Sequence, residues 1–169
     1  PLLEKWNVRL DDDLVMMRVS ILGLREGISF EAQAGEYGVH PVVDKLKDII
    51  TFFPRARSLD IVEGGGDAPD KPKATALVKT SDAATVWGET DFKALERREA
   101  KFDAAADKKA PLTLAVAVER GGNVSGVEVG ASRLVVVGTS NFLINRYCLE
   151  GANADLFLNS VNWLLQRQE

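Results

Sequence analysis

Three side chains could act as a nucleophile or a base: Ser140, Cys148 and His40. Ser140 lies in Gly138-Thr139-Ser140-Asn141-Phe142, directly after the apolar run Leu134-Val135-Val136-Val137. A nucleophile elbow also follows a strand, but its sharp turn needs a small residue two places after the serine. Phe142 holds that place, and His40 precedes Ser140, whereas hydrolases of this type place histidine last. The corner reads better as a loop in which Ser140 and Asn141 cap backbone groups. Cys148 with His40 could form a thiol site. Yet Cys148 stands in Asn145-Arg146-Tyr147-Cys148-Leu149-Glu150, without the glycine-flanked elbow of class I amidotransferases. An inert, partly buried cysteine is expected, with His40 beside Pro41 at the start of a helix. No catalytic residue is assigned, and the expectation is a protein that is not an enzyme.

Binding chemistry has its own candidates. Asp11-Asp12-Asp13 suggests a cation site, but calcium loops space their acids at alternate positions and add a glycine and a distal glutamate. A solvated turn is expected instead. Gly64-Gly65-Gly66 lacks the following helix of a phosphate cradle; Pro69 and Pro72 come next. Trp87-Gly88-Glu89-Thr90-Asp91 sets acids beside an aromatic ring, a combination that can hold a sugar and that more often packs a loop down. One cysteine and one histidine exclude an intramolecular disulfide and any metal site built on several of either. Neither a metal nor a cofactor is expected. The net charge of −4, from 21 basic and 25 acidic residues, argues against nucleic acid as a partner. Arg55 and Arg57 could still form a local basic patch, although a solvated surface is the simpler reading.

These residues need a scaffold, and 169 residues suit one domain with a sizeable core. Apolar residues make up 46% and charged residues 27%, ordinary values for a globular chain. No apolar run approaches the roughly 20 residues of a membrane span, and no signal peptide is visible. The start at Pro1 suggests a piece excised from a longer protein.

Residues 133–165 organise the rest. Leu134 to Val137 suits a strand buried on both faces. Asn153 is a good cap for a helix with Asp155 in its first turn, and Phe157, Val161, Leu164 and Leu165 form its apolar stripe. Residues 1–6 read as helical and Asn7 stops them. Val8–Leu10, Leu14–Val19, Ile28–Ala32, Ile50–Phe53, Ser58–Val62, Lys73–Thr80 and Pro111–Glu119 read as strands. Gly121-Gly122-Asn123 reads as the turn that closes the last of these. Pro41 should open a helix with Val42, Val43, Leu46 and Ile49 inward. Asp91–Ala106 has strong helix propensity, and 63–73 is a surface loop. Strands alternating with helices favour α/β.

Several stretches in order resemble one family, the extracytoplasmic domain of ABC transporter auxiliary components of the gliding-motility type (GldG-like). The resemblance rests on Arg133 to Leu143 followed by Asn153 to Leu164, with its Asn-Trp-Leu ending. Leu2 to Val8, His40-Pro41-Val42, Trp87 to Thr90 and Pro111 to Val116 also fit. It implies a Rossmann-like module, of class I amidotransferase-like or flavodoxin-like three-layer type, with a mixed sheet truncated at its N-terminal side. It also implies a single extracytoplasmic domain over 1–169, on the periplasmic face of the inner membrane. The intact protein would be membrane-anchored and work with the membrane and ATPase subunits of a transporter. Thr139 and Asn141 stand where the family commonly has acids. The binding candidates are Thr139, Ser140, Asn141, Trp87 and Glu89. The first expectation is a non-enzymatic binding or scaffolding domain, and the alternative is a carbohydrate- or peptidoglycan-binding module. A truncated sheet would expose an edge and favour a homodimer.

Overall fold

The computed structural model describes residues 2–21, 23, 25–62, 71–97, 99–124 and 127–166. In chain order the strands are β1 (Val8–Leu10), β2 (Leu14–Ile21), β3 (Arg25–Ser29), β4 (Glu31–Gln33), β5 (Glu36–Tyr37), β6 (Phe52–Pro54), β7 (Leu59–Ile61), β8 (Lys73–Lys79) and β9 (Val86–Glu89), then β10 (Lys108–Lys109), β11 (Thr113–Val124) and β12 (Val127–Val137). Among the described residues two α-helices, α1 (Phe92–Glu96) and α2 (Asn153–Leu164), and short 3-10 turns at Leu3–Trp6 and Asn141–Leu143 complete them.

The main sheet runs β1-β7-β11-β8-β5, with β12 also on β11. A second sheet runs β10-β9-β2-β3, and β4 pairs β6. Each of these ladders is antiparallel. The three-layer Rossmann-like α/β module expected from the sequence is therefore incorrect. The apolar runs at 112–118 and 134–137 are the two arms of one hairpin, with Ala115 opposite Val137 and Val118 opposite Leu134. Such runs suggest parallel strands because parallel sheets are covered on both faces. This antiparallel sheet is covered on both faces too. Ala115, Ala117, Val135 and Val137 join a large cluster with Phe53, Val42, Val43 and Leu156. Val116, Val118, Leu134 and Val136 join Val8, Leu59, Leu3 and Trp6. Gly121 does not end β11; at φ +98° it lies where the register shifts between Arg120 and Gly122, a conformation suited to glycine in a bulge.

Beyond the end of β12 the edge of β11 is taken over by β7, through Thr113 and Leu59. The handover is tight: Gly138 N–H donates to Leu114 O at 2.9 Å, and Arg57 N–H donates to Gly138 O at 3.0 Å. A Cβ on Gly138 would stand 2.0 Å from Arg57 O, so only glycine lets the two segments approach.

The helices differ most from expectation. Residues 41–49 form successive turns, with Val42, Val43 and Leu46 buried and Ile49 exposed. Among the described residues of 91–106 only Phe92–Glu96 is α-helical; Asp91 caps it by accepting from Lys93 and Ala94 N–H. In α2 the buried positions are Asn153, Leu156 and Ser160, while Phe157, Leu164 and Leu165 of the expected stripe are exposed. Asn153 is not the cap. Its side chain accepts from Phe52 N–H at 2.8 Å and donates to Phe142 O at 2.9 Å, pinning α2 to the loops. The expected loop at 63–73 and its three glycines lie mostly outside the described residues.

Candidate functional site: a groove at the end of the central hairpin

The corner after β12 is stapled to the end of β6. Thr139 Oγ1 donates to Pro54 O at 2.8 Å and accepts from Asn141 N–H at 3.0 Å. Thr139, not Ser140, therefore caps the turn, and Ser140 is exposed without a capping bond. Asn141 faces a groove of about 610 Å³. One wall is the turn from Ile144 to Tyr147, closed by Tyr147 N–H to Ile144 O at 2.8 Å. The other is the junction of β3 and β4, and Arg55 lies on the floor after Pro54. The pairing of Glu31 with Pro54 sets wall and floor side by side.

The polar groups of the groove are unevenly engaged. Tyr147 Oη donates to Glu31 Oε1, and Arg146 approaches the same oxygen at 3.7 Å while lying 5.1 Å over the Tyr147 ring. As acceptor of that hydrogen bond, Glu31 raises the Tyr147 phenol above its ordinary value. Arg55 has no ion-pair partner among the described residues. Its φ of +52° lies in the left-handed region, and its N–H donates to Phe30 O at 2.7 Å. Ile28, Phe30 and Ile144 leave 38%, 38% and 47% of their surface exposed around these charges. The groove thus offers one unspent cationic side chain, Arg55, beside apolar surface.

Trp87 and Glu89 do not join Asn141. Both are buried; Trp87 packs with Met16 and Ala100, and its Nε1–H donates to Glu89 Oε2 at 3.1 Å. Glu89 also accepts from Asp91 N–H at 2.9 Å. No face of this indole is open for a sugar ring to stack on. His40 packs edge-on against Trp163 at 4.9 Å, and its Nδ1 accepts from Val42 N–H at 3.2 Å. Burial lowers its pKa. None of its hydrogen bonds among the described residues reaches Ser140 or Cys148.

Asp11 to Asp13 correct the expectation of a solvated turn. Asp12 is exposed, but Asp11 and Asp13 retain 8% and 1% of their surface. Asp13 accepts from Ser58 N–H at 2.8 Å, and Ser58 Oγ lies 2.7 Å from Asp13 and 2.9 Å from Asp11. Lys108 Nζ bridges Asp11 and Asp60, at 2.8 Å from the latter, and Arg9 contacts both acids. Burial pushes Asp13 above the ordinary carboxylate range, against the lowering effect of the Ser58 bonds. Among the described residues no group of three or more His, Cys, Asp or Glu side chains is placed to hold a metal ion. This network joins β1, β7 and β10 to the turn before β2, and its role is to hold them together.

Sequence reasoning found Asn141 from the strand-to-loop corner. It missed Glu31, Arg146 and Tyr147, and saw Arg55 only as half of a patch with Arg57. No family model matches the chain, and no curated protein matches it significantly. Among solved structures it is similar to one described as "mmIFT52 N-terminal domain", with a TM-score of 0.58 and 14% identity. The match covers 96% of this chain and 55% of that one, so the chain spans about half the length of that neighbour. At this identity the likeness is one of fold alone. No described helix is long and apolar enough to cross a membrane.

Proposed function

We propose that this chain is a non-catalytic binding or scaffolding domain, working on the extracytoplasmic face of a membrane as an auxiliary part of an ABC-type transport system. The observation that carries the binding half is the groove. It is open, it presents Arg55 and Asn141, and it is walled by segments fixed to the main core through Thr139 and Pro54. Other polar side chains of the chain, such as Glu89, Asn153 and Asp13, are spent on internal bonds. The transport half is supported by the ordered series of motifs from Leu2 to Leu164. The test is a photo-cross-linker at the exposed position Asn145 of the membrane-embedded gene product. Capture of a transporter membrane subunit, with its ATPase co-purifying, is the expected result. Turnover of a small molecule that His40→Ala abolishes would overturn the non-catalytic reading.

A further inference from the structure

We infer that the groove takes an acidic segment of a partner protein, with a carboxylate between Arg55 and Arg146 and an aliphatic side chain on Phe30 and Ile28. This rests on the binding-domain reading and names its ligand class. Charge is the first ground. The chain is acidic overall, at −4, yet this groove sets two arginines against one acid, and that acid already accepts from Tyr147. An arginine without a carboxylate of its own supplies a planar fork of donors whose geometry matches a carboxylate. Donor balance is the second ground. Asn141 Nδ2 reaches Pro54 O only at 3.5 Å, the far limit of a hydrogen bond, so its amide remains free to donate better elsewhere. Apolar surface is the third. A small anion would leave Ile28, Phe30 and Ile144 uncovered, whereas a peptide segment covers them while its acid meets the arginines. About 610 Å³ is room for a few side chains of such a segment. The left-handed backbone at Arg55 belongs to the same picture, since residues held in such conformations cluster at ligand sites.

The test titrates the protein with three dodecapeptide series that alternate Leu with Glu, Gln or Lys. The Glu series should bind, weakening as salt rises, and the Gln series should bind at least about tenfold more weakly. Arg55→Gly and Arg146→Ala should each weaken the Glu series about fivefold or more, and Lys45→Ala, on an exposed turn, should not. Arg55→Gly suits this because glycine accepts the local backbone, so the fold is kept. Equal binding of Glu and Gln peptides, arginine variants that bind as well as the parent, or no binding up to about 1 mM would each overturn the proposal. Cross-linking from Asn145 separates this from the wider reading. Capture of a transporter subunit without acid dependence removes the acidic ligand and leaves the binding domain. Acid-dependent binding without such capture keeps the groove and removes the transporter.

Discussion

The network around Ser58 and the groove around Arg55 use the same kinds of side chain to opposite ends. In the network, Asp11, Asp13 and Ser58 are buried, and every carboxylate has a cation or a donor on it. In the groove, Arg55 and Arg146 are exposed and the single acid is shared by Tyr147 and Arg146. Burial makes the first set interdependent, because removing one member strands the others away from water. Exposure makes the second set independent, because water replaces any lost partner. Charges that hold the fold and charges free to bind are thus told apart by unused hydrogen-bonding capacity, not by residue type.

The sharpest way to break the network is steric. A Cβ on Gly88 would stand 2.2 Å from Asp13 Oδ2 and 3.3 Å from Lys108 Cβ. Gly88→Ala should lower stability by about 3 kcal/mol, the upper end of overpacking costs, read from the urea midpoint. A parent-like midpoint would show that the network gives way easily.

Removing the acid comes next. Asp13→Ala strips the acceptor from the Ser58 N–H and should cost about 2 kcal/mol. Asp13→Asn keeps the shape and tests the proton. Ser58 has one hydroxyl proton for two carboxylates, Asp11 and Asp13. When Asp13 is protonated it donates to Ser58 Oγ, which is then free to donate to Asp11. The neutral form is favoured in the fold, since burial raises the Asp13 pKa above 3.8. The unfolded chain therefore loses this proton first as pH rises, and the contribution of Asp13 to stability falls between 3.8 and its raised folded value. Asp60, joined to the same network through Lys108, works differently. Burial of Asp60 is outweighed by its bonds to Lys108 and Arg9, which hold its pKa below 3.8, so its contribution fades only in stronger acid. The gap between parent and Asp13→Asn should accordingly change within the first window and stay level above it, in urea titrations repeated across pH. A flat gap throughout would remove the proton from the network.

The contrast also explains what was legible in the sequence. Thr75, Leu77 and Val78 marked β8, and composition marked the centre of β11, because these signals are local. The pairing of β11 with β12 was not legible, since a doubly covered antiparallel hairpin and a pair of parallel strands share one apolar pattern. The buried aspartates looked solvated because Ser58 and Lys108, which donate to them, stand 45 and 97 residues away. In α2 the apolar residues Phe157, Leu164 and Leu165 pointed to one face, but polar Asn153 and Ser160 line the buried face beside Leu156. The groove was half visible. Asn141 follows from the corner, whereas Arg55 and Arg57 read as one patch. The left-handed residue at Arg55 breaks the extended alternation, leaving Arg55 in the groove while Arg57 Nε donates to Asp11 O.

Arg55 offers a smaller effect of opposite sign. A left-handed conformation costs an ordinary residue about 1–2 kcal/mol, and glycine avoids it while losing more freedom on folding. Arg55→Gly should therefore raise stability by about 0.5 kcal/mol even as it weakens the acidic peptide. A loss of stability would mean that Arg55 holds the fold as the aspartates do.

A matched pair of deletions separates the two regions most finely, because one hydroxyl can be removed from each. Ser58→Ala removes a buried donor between two acids and should cost about 1–3 kcal/mol. Tyr147→Phe removes the donor to Glu31 at the groove, where water can take its place, and should stay within about 0.5 kcal/mol of the parent. Its consequence lies in binding. Tyr147 and Arg146 compete for the same oxygen of Glu31. Without the phenol, Glu31 draws Arg146 closer and removes it from the ligand. Tyr147→Phe should then bind the Glu peptide about twofold more weakly, with an unchanged urea midpoint. Tighter binding would show that the phenol itself competes with the incoming acid, and a shifted midpoint would move Tyr147 to the structural side of the comparison.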